Sequence, residues 1–276
     1  MNARLLFILL LFTIGALWYI IGYWRRKAGE AAFAAARLTE KSEERERYCR
    51  LAVMAGHREA CRMFCLLHPE RFDGHSPHKP FKLRGIRISF YGYYYPSRYN
   101  ALLNDEQRAF CHSIYQFKQG DIHGIEFFKT CMNALQLKKR PYHIMFMPCS
   151  NWIKYGQRFK RLDWYIGKHR QDLTSGLYDV DICDARESLH EAKGGEKRIL
   201  ERNYLITGKI KGKEIIIIDD VLTTGQSVAD YKEEIERCGG KVVAAIFYGK
   251  TITLPHPLIV KLEVWGDDIT RFSKSN

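Results

Sequence analysis

Lys213 to Ser227 reads KEIIIIDDVLTTGQS, and this segment constrains the fold more than any other. Four consecutive isoleucines leave no polar face, so the strand they form must be covered on both sides, as at the centre of a parallel sheet. Asp219 and Asp220 follow directly, then Val221, Leu222, Thr223, Thr224, Gly225, Gln226 and Ser227, after which an amphipathic helical pattern runs to Cys238 and stops at Gly239 and Gly240. Strand, turn and helix in that order build the place where open α/β sheets bind ligands. Elsewhere β-prone or apolar runs (Ile86 to Tyr95, His143 to Cys149, Val242 to Tyr248) alternate with helical ones, the longest being Asp105 to Leu137 with an interruption near Gly120. The alternation predicts an α/β fold, a mostly parallel twisted sheet flanked by helices.

The turn also has a chemistry. Its backbone amides and the N-terminus of the following helix form an anion site. Gly225 lets the backbone fold round a phosphate, and Thr223, Thr224 and Ser227 can donate hydroxyl hydrogen bonds to it. Asp219 and Asp220 would repel the same phosphate, so they need a different partner. Carboxylates accept hydrogen bonds from vicinal hydroxyls, and a ribose 5-phosphate group satisfies both halves. The chain lacks the Gly-Lys-Thr/Ser ending of an ATP-binding P-loop.

An apolar run, Asp-Asp, two apolar residues and Thr-Thr-Gly-x-Ser resembles the phosphoribosyl pyrophosphate (PRPP) signature of type I phosphoribosyltransferases. From about Ile86 to Thr251 the chain looks like the ComF-type branch of that family: IYQFKQGD at Ile114 to Asp121, MPCSNWIKYGQRF at Met147 to Phe159, and Glu201, Arg202 and Asn203 stand in that branch's order. The Cys-pair zinc ribbon that often opens the branch is replaced here by a different N-terminus. The resemblance implies transfer of ribose 5-phosphate from PRPP to a nitrogen nucleophile, a nucleobase-like acceptor, with release of pyrophosphate. It implies Asp219 and Asp220 as the catalytic carboxylates, residues 219 to 227 as the PRPP site, and Ser150, Asn151 and Lys154 as the pyrophosphate loop. Magnesium is expected mainly through PRPP oxygens, with no direct protein ligand. Thr223 stands where some purine-salvage relatives carry an acidic base, so no base is assigned. Lys118 and Arg158 read as surface charges able to contact anions.

Leu5 to Trp24 is twenty residues without a charge, bracketed by Arg4 and by Arg25, Arg26 and Lys27. At 1.5 Å per residue this matches the roughly 30 Å hydrocarbon layer, so the sequence predicts an uncleaved transmembrane anchor at 1–27. The basic residues after it orient the rest towards the cytoplasm, which places the chain at the inner membrane. The chain carries a net charge of +13; residues 1–150 have 23 basic and 12 acidic residues, and residues 151–276 have 21 and 19. The excess therefore lies away from the PRPP motif, where attraction to anionic lipids can use it. Eight scattered cysteines fit a reducing compartment without disulfides.

Residues 28–75 read as a helical spacer resembling one tetratricopeptide-related hairpin, with Ala52, Gly56, His57 and Ala60 at its close contacts and a protein partner as its use. His57, Cys61, Cys65 and His68 share a helical face and could hold zinc; the plainer reading is a packed face. Gly74 to Pro80 is the linker into a phosphoribosyltransferase domain at 76–276, with hood-like elements at about 81–140 and a core at about 141–250. The alternative function is a PRPP sensor without turnover, or a competence and DNA-uptake accessory protein whose basic tracts, Lys138 to Arg140 and Lys209 to Lys213, touch nucleic acid. A homodimer is left open.

Overall fold

The computed structural model describes residues 3–122, 124–182 and 203–274. It divides into two compact units, one of Met1–Gly74, Tyr99–Leu103 and Thr253–Asn276, the other of His75–Arg98 and Asn104–Ile252.

The first unit is helical: α1 (Ala3–Leu38), α2 (Ser42–Ala55), α3 (Arg58–Leu67), α4 (Pro69–Asp73) and the C-terminal α9 (Pro257–Lys274). Gly56 ends α2 at φ 90°, and the His57 side chain then caps α3 by accepting from the Ala60 amide. Small residues let these helices approach: a Cβ on Gly29 of α1 would stand 3.0 Å from that of Ala55. Ala52, Val53, Ala60, Met63, Phe64 and Leu66 form the core. Arg50 and Arg71 both reach Asp267 on α9, at 3.2 and 2.7 Å, and both stack over the Phe64 ring.

The expected transmembrane helix is overturned. Among the described residues, no helix is long and apolar enough to cross a membrane. Helix α1 continues without a break through Arg25, Arg26 and Lys27 to Leu38.

His57, Cys61, Cys65 and His68 are each engaged in packing. His57 caps α3 and stacks on Phe33, and His68 lies against Phe64. Cys61 and Cys65 are buried, and burial pushes the Cys65 thiol up to about 12, against metal-binding thiolate.

The second unit is α/β. Its six-stranded sheet has the order β1 (Phe81–Leu83), β2 (Ile86–Tyr94), β8 (Lys241–Thr251), β7 (Glu214–Leu222), β3 (Tyr142–Phe146) and β4 (Leu173–Ser175). Every pairing is parallel except the β1–β2 hairpin at the edge. β7 lies between β8 and β3, and Ile215, Ile216, Ile217 and Ile218 are fully buried. Each contributes about 2 kcal/mol or more by leaving water. A separate pair, β5 (Val180–Ile182) with β6 (Tyr204–Ile206), is antiparallel. The helices of this unit are α5 (Asp105–Gln119), α6 (Ile125–Leu135), α7 (Trp152–His169) and α8 (Gln226–Arg237).

Two local devices position the site. Asn104 and Gln107 form a reciprocal capping box that starts α5. Its end is set by Gly120, at φ 81°, where a Cβ would lie 2.5 Å from the Gln157 carbonyl oxygen on α7. Only glycine allows that approach, which brings the last turn of α5 against α7.

Candidate functional site

The carboxyl end of β7 carries Asp219 and Asp220, paired in register with the end of β8, and the Met147 amide bonds the Ile218 carbonyl so that the end of β3 lies alongside. The two acids bend back on their own strand: the Asp220 amide donates to Asp219 Oδ1 at 2.8 Å, and the Val221 amide to Asp220 Oδ1 at 2.6 Å. Val221 and Leu222 finish the strand, Leu222 being buried. Thr223 and Thr224 are exposed beyond it, as are Gln226 and Ser227 in the first turn of α8.

Gly225 caps α8 at φ 75° and brings no side chain to its orphan amides. Nor is there an acid in the first turn of α8, so the positive end of this helix is open to an anion. The Thr224 hydroxyl accepts from the Gln226 amide at 3.3 Å, which holds the turn closed.

The β1–β2 hairpin lies against this turn. Its loop is two residues, Arg84 and Gly85, both at positive φ (49° and 76°), and the Arg84 Nε donates to the Thr224 carbonyl at 3.5 Å. Leu83 fills the space behind Gly225, where an added Cβ would stand 2.6 Å from its Cδ2. A cation is thus held beside the anion turn by a hairpin far away in sequence.

Two more cations come from α5 and α7. Arg158 Nη1 is 2.8 Å from Asp220 Oδ2 and 3.7 Å from Asp219 Oδ1, and Lys118 Nζ is 3.3 Å from Asp220 Oδ2. Neither is a solvated surface charge of the kind the sequence suggested: Arg158 is 16% exposed and Lys118 33%. Burial, and then the neighbouring Asp220 charge, raise the Asp219 carboxyl to about 8, with Arg158 opposing. Burial works against the Arg158 charge, yet Asp220 and Asp219 hold its pKa above the ordinary value.

The expected pyrophosphate loop leaves the end of β3 at the same edge. Asn151 caps α7, its side chain accepting from the Lys154 amide at 2.9 Å, so its oxygen is committed to the helix. Ser150 is partly exposed, and Lys154 is exposed on the first turn of α7. Glu201 and Arg202 lie outside the described residues; Asn203 is buried and donates to the Cys149 carbonyl at 3.2 Å.

The strand end thus brings together paired carboxylates, which can accept hydrogen bonds from hydroxyls, a helix N-terminus, which can receive an anion, and cations on either side of them. Residues 171–265 match the phosphoribosyl transferase domain. An orotate phosphoribosyltransferase of Sulfolobus acidocaldarius is 42% identical over 57 residues, which is 20% of this chain and 26% of that protein. The aligned part thus spans about a quarter of that relative. The matched phosphoribosyl transferase region contains the β7–α8 turn, whereas Arg84, Lys118 and Arg158 precede it.

Proposed function

We propose that the chain binds PRPP at the β7–α8 turn and transfers its ribosyl phosphate to a nitrogen nucleophile, a nucleobase-like acceptor, releasing pyrophosphate. The observation that carries this reading is the sequence of groups at one strand end: two carboxylates for ribose hydroxyls, then an open helix N-terminus with three exposed hydroxyls for the phosphate. The domain match at 171–265 supports a pentosyl-transferring enzyme in general terms.

In this reading the amides at the start of α8, with Thr223, Thr224 and Ser227, hold the 5-phosphate, and Arg84 adds charge from the side. That remote binding fixes the anomeric carbon against the acids. Asp219 and Asp220 accept hydrogen bonds from the ribose hydroxyls, which take the places now held by Arg158 and Lys118. The two cations are then free to turn to the pyrophosphate, together with Ser150 and Lys154. As the bond from the anomeric carbon to pyrophosphate breaks, its electron pair leaves with the pyrophosphate and positive charge grows on the sugar beside the Asp220 carboxylate, with the raised Asp219 carboxyl holding a ribose hydroxyl. The acceptor nitrogen supplies the new bond. Thr223 is no base, so the acceptor must arrive with its lone pair available.

Magnesium would be carried mainly on PRPP oxygens, with no direct protein ligand, which leaves Asp219 and Asp220 to the ribose hydroxyls. When bound, the metal supplies charge stabilisation to the leaving pyrophosphate.

The test is a titration of the full chain with PRPP and magnesium, repeated on Asp219→Asn plus Asp220→Asn. Affinity should collapse in the double variant; unchanged affinity rejects the site. Pyrophosphate release is then followed with orotate, uracil, adenine and guanine as acceptors. PRPP binding with no release across these acceptors would assign a binding role without transfer.

A further inference from the structure

We propose a second ligand site at the opposite end of β3 from the PRPP turn, one that takes a free nucleoside monophosphate. The strand's five residues separate the two ends by roughly 17 Å. At the amino end, the segment between α6 and β3 and the segment between α7 and β4 enclose a cleft of about 630 Å³. That is the size range of small-molecule sites.

Four cations line it: Lys138, Lys139 and Arg140 on one side and Arg170 on the other. The loop that carries three of them is built. The Tyr142 hydroxyl, on a buried residue, donates to the Lys138 carbonyl at 3.0 Å and accepts from Arg140 Nε at 3.2 Å, and Arg140 is also paired with Glu214 at 2.5 Å. Upstream, Gln136 takes a positive φ of 45°, unusual for a residue with a side chain, to end α6 and turn the loop over the cleft. Arg170 is fixed across from it by two bonds to Asp172, at 2.9 and 2.8 Å.

Arg140 and Arg170 are therefore neutralised and act as walls. Lys138 and Lys139 are exposed, and among the described residues neither has an acidic partner. Two unneutralised ammonium groups over a cleft suit one phosphate of charge near −2. The rest of the lining is Met132, Leu137 and Pro141, an apolar wall able to pack a flat base, with the Asn133 and Gln136 amides able to hydrogen-bond its edge. Phosphate and base together define a nucleotide. A concave site of this size selects a single nucleotide over a strand, whose phosphates would need a row of cations along a surface.

The probe is uridine 5′-monophosphate, with adenosine 5′-monophosphate beside it, titrated calorimetrically into the full chain. One or both should bind. Lys138→Glu plus Lys139→Glu should weaken that binding at least about tenfold while leaving PRPP binding unchanged. Because a nucleoside monophosphate is also the product expected at the PRPP turn, the nucleotide titrations of the lysine variants are made in the Asp219→Asn plus Asp220→Asn background, which should keep binding at the second site, so failure here is distinct from failure of the transferase reading. Lys138→Gln plus Lys139→Gln, which removes charge without reversing it, should give an intermediate loss. The proposal is overturned if neither nucleotide binds, if binding survives the lysine reversal, or if it disappears in the double aspartate variant. It is equally overturned if inorganic phosphate binds as tightly as the nucleotides, or if oligothymidylate binds and they do not.

Discussion

Arg158 and Asp220 form a 2.8 Å ion pair in which both side chains are largely withdrawn from solvent. Asp219 stands 3.7 Å from the same guanidinium nitrogen, so one cation serves two acids, with Lys118 adding a second charge at the rim. Breaking a buried pair from one side leaves the partner's charge stranded, which costs more than the pair itself contributes. Arg158→Leu should therefore lower unfolding stability by about 3 kcal/mol at pH 7, measured by denaturant titration. Adding Asp220→Asn should recover part of that loss. Additive destabilisation in the double variant would mean that the two side chains are not coupled.

Gly225 tests the anion turn. At φ 75° alanine costs about 1–2 kcal/mol in backbone strain, and its Cβ meets the flexible end of Leu83, which can move aside. Gly225→Ala should remain folded, with a stability loss of that size. PRPP affinity should fall by at least about tenfold, since the loss of one or two charge-assisted hydrogen bonds is enough for that. Equal affinities in calorimetry would show that the phosphate does not sit on this turn.

How far the site could be read from the chain depended on distance along it. Asp219 to Ser227 is one continuous strand-turn-helix, so its isoleucines, acids and hydroxyls could be read together. Arg158 and Lys118 could not: each looks like an ordinary helix-surface charge until Gly120 brings the end of α5 against α7. Arg84 was hidden in the same way, because the packing of Leu83 behind Gly225 leaves no local pattern. In the helical unit, nothing around Arg50 or Arg71 announces that both will meet Asp267 of α9. The apolar run before Trp24 was the opposite case, a strong local signal that predicted a membrane span which the described helix does not provide.

Arg84 separates charge from conformation. Both residues of the β1–β2 loop have positive φ, the backbone for which Asn-Gly is the favoured pair. Arg84→Asn should hold or slightly raise stability while removing the cation beside Thr224. PRPP binding should then weaken and lose part of its salt dependence, since a screened charge pair has gone. The check is affinity measured at two ionic strengths. If the variant binds PRPP with the wild-type salt response, Arg84 is only a turn residue.

Asp219 makes the pH prediction. Its carboxyl is raised from the ordinary value to about 8, by burial first and by Asp220 second. A carboxyl whose folded pKa exceeds its unfolded one favours the folded state in its neutral form. That contribution is fully present below the unfolded pKa near 4 and is lost as pH rises through the folded value. Asparagine keeps the neutral shape and cannot ionise, so Asp219→Asn should flatten this part of the stability profile between about pH 4 and pH 8. Relative to wild type the variant should gain stability at the alkaline end, in denaturant titrations at closely spaced pH values. A parallel offset at every pH would show that Asp219 titrates near its ordinary value, and that the Arg158 pair alone governs the site's charge.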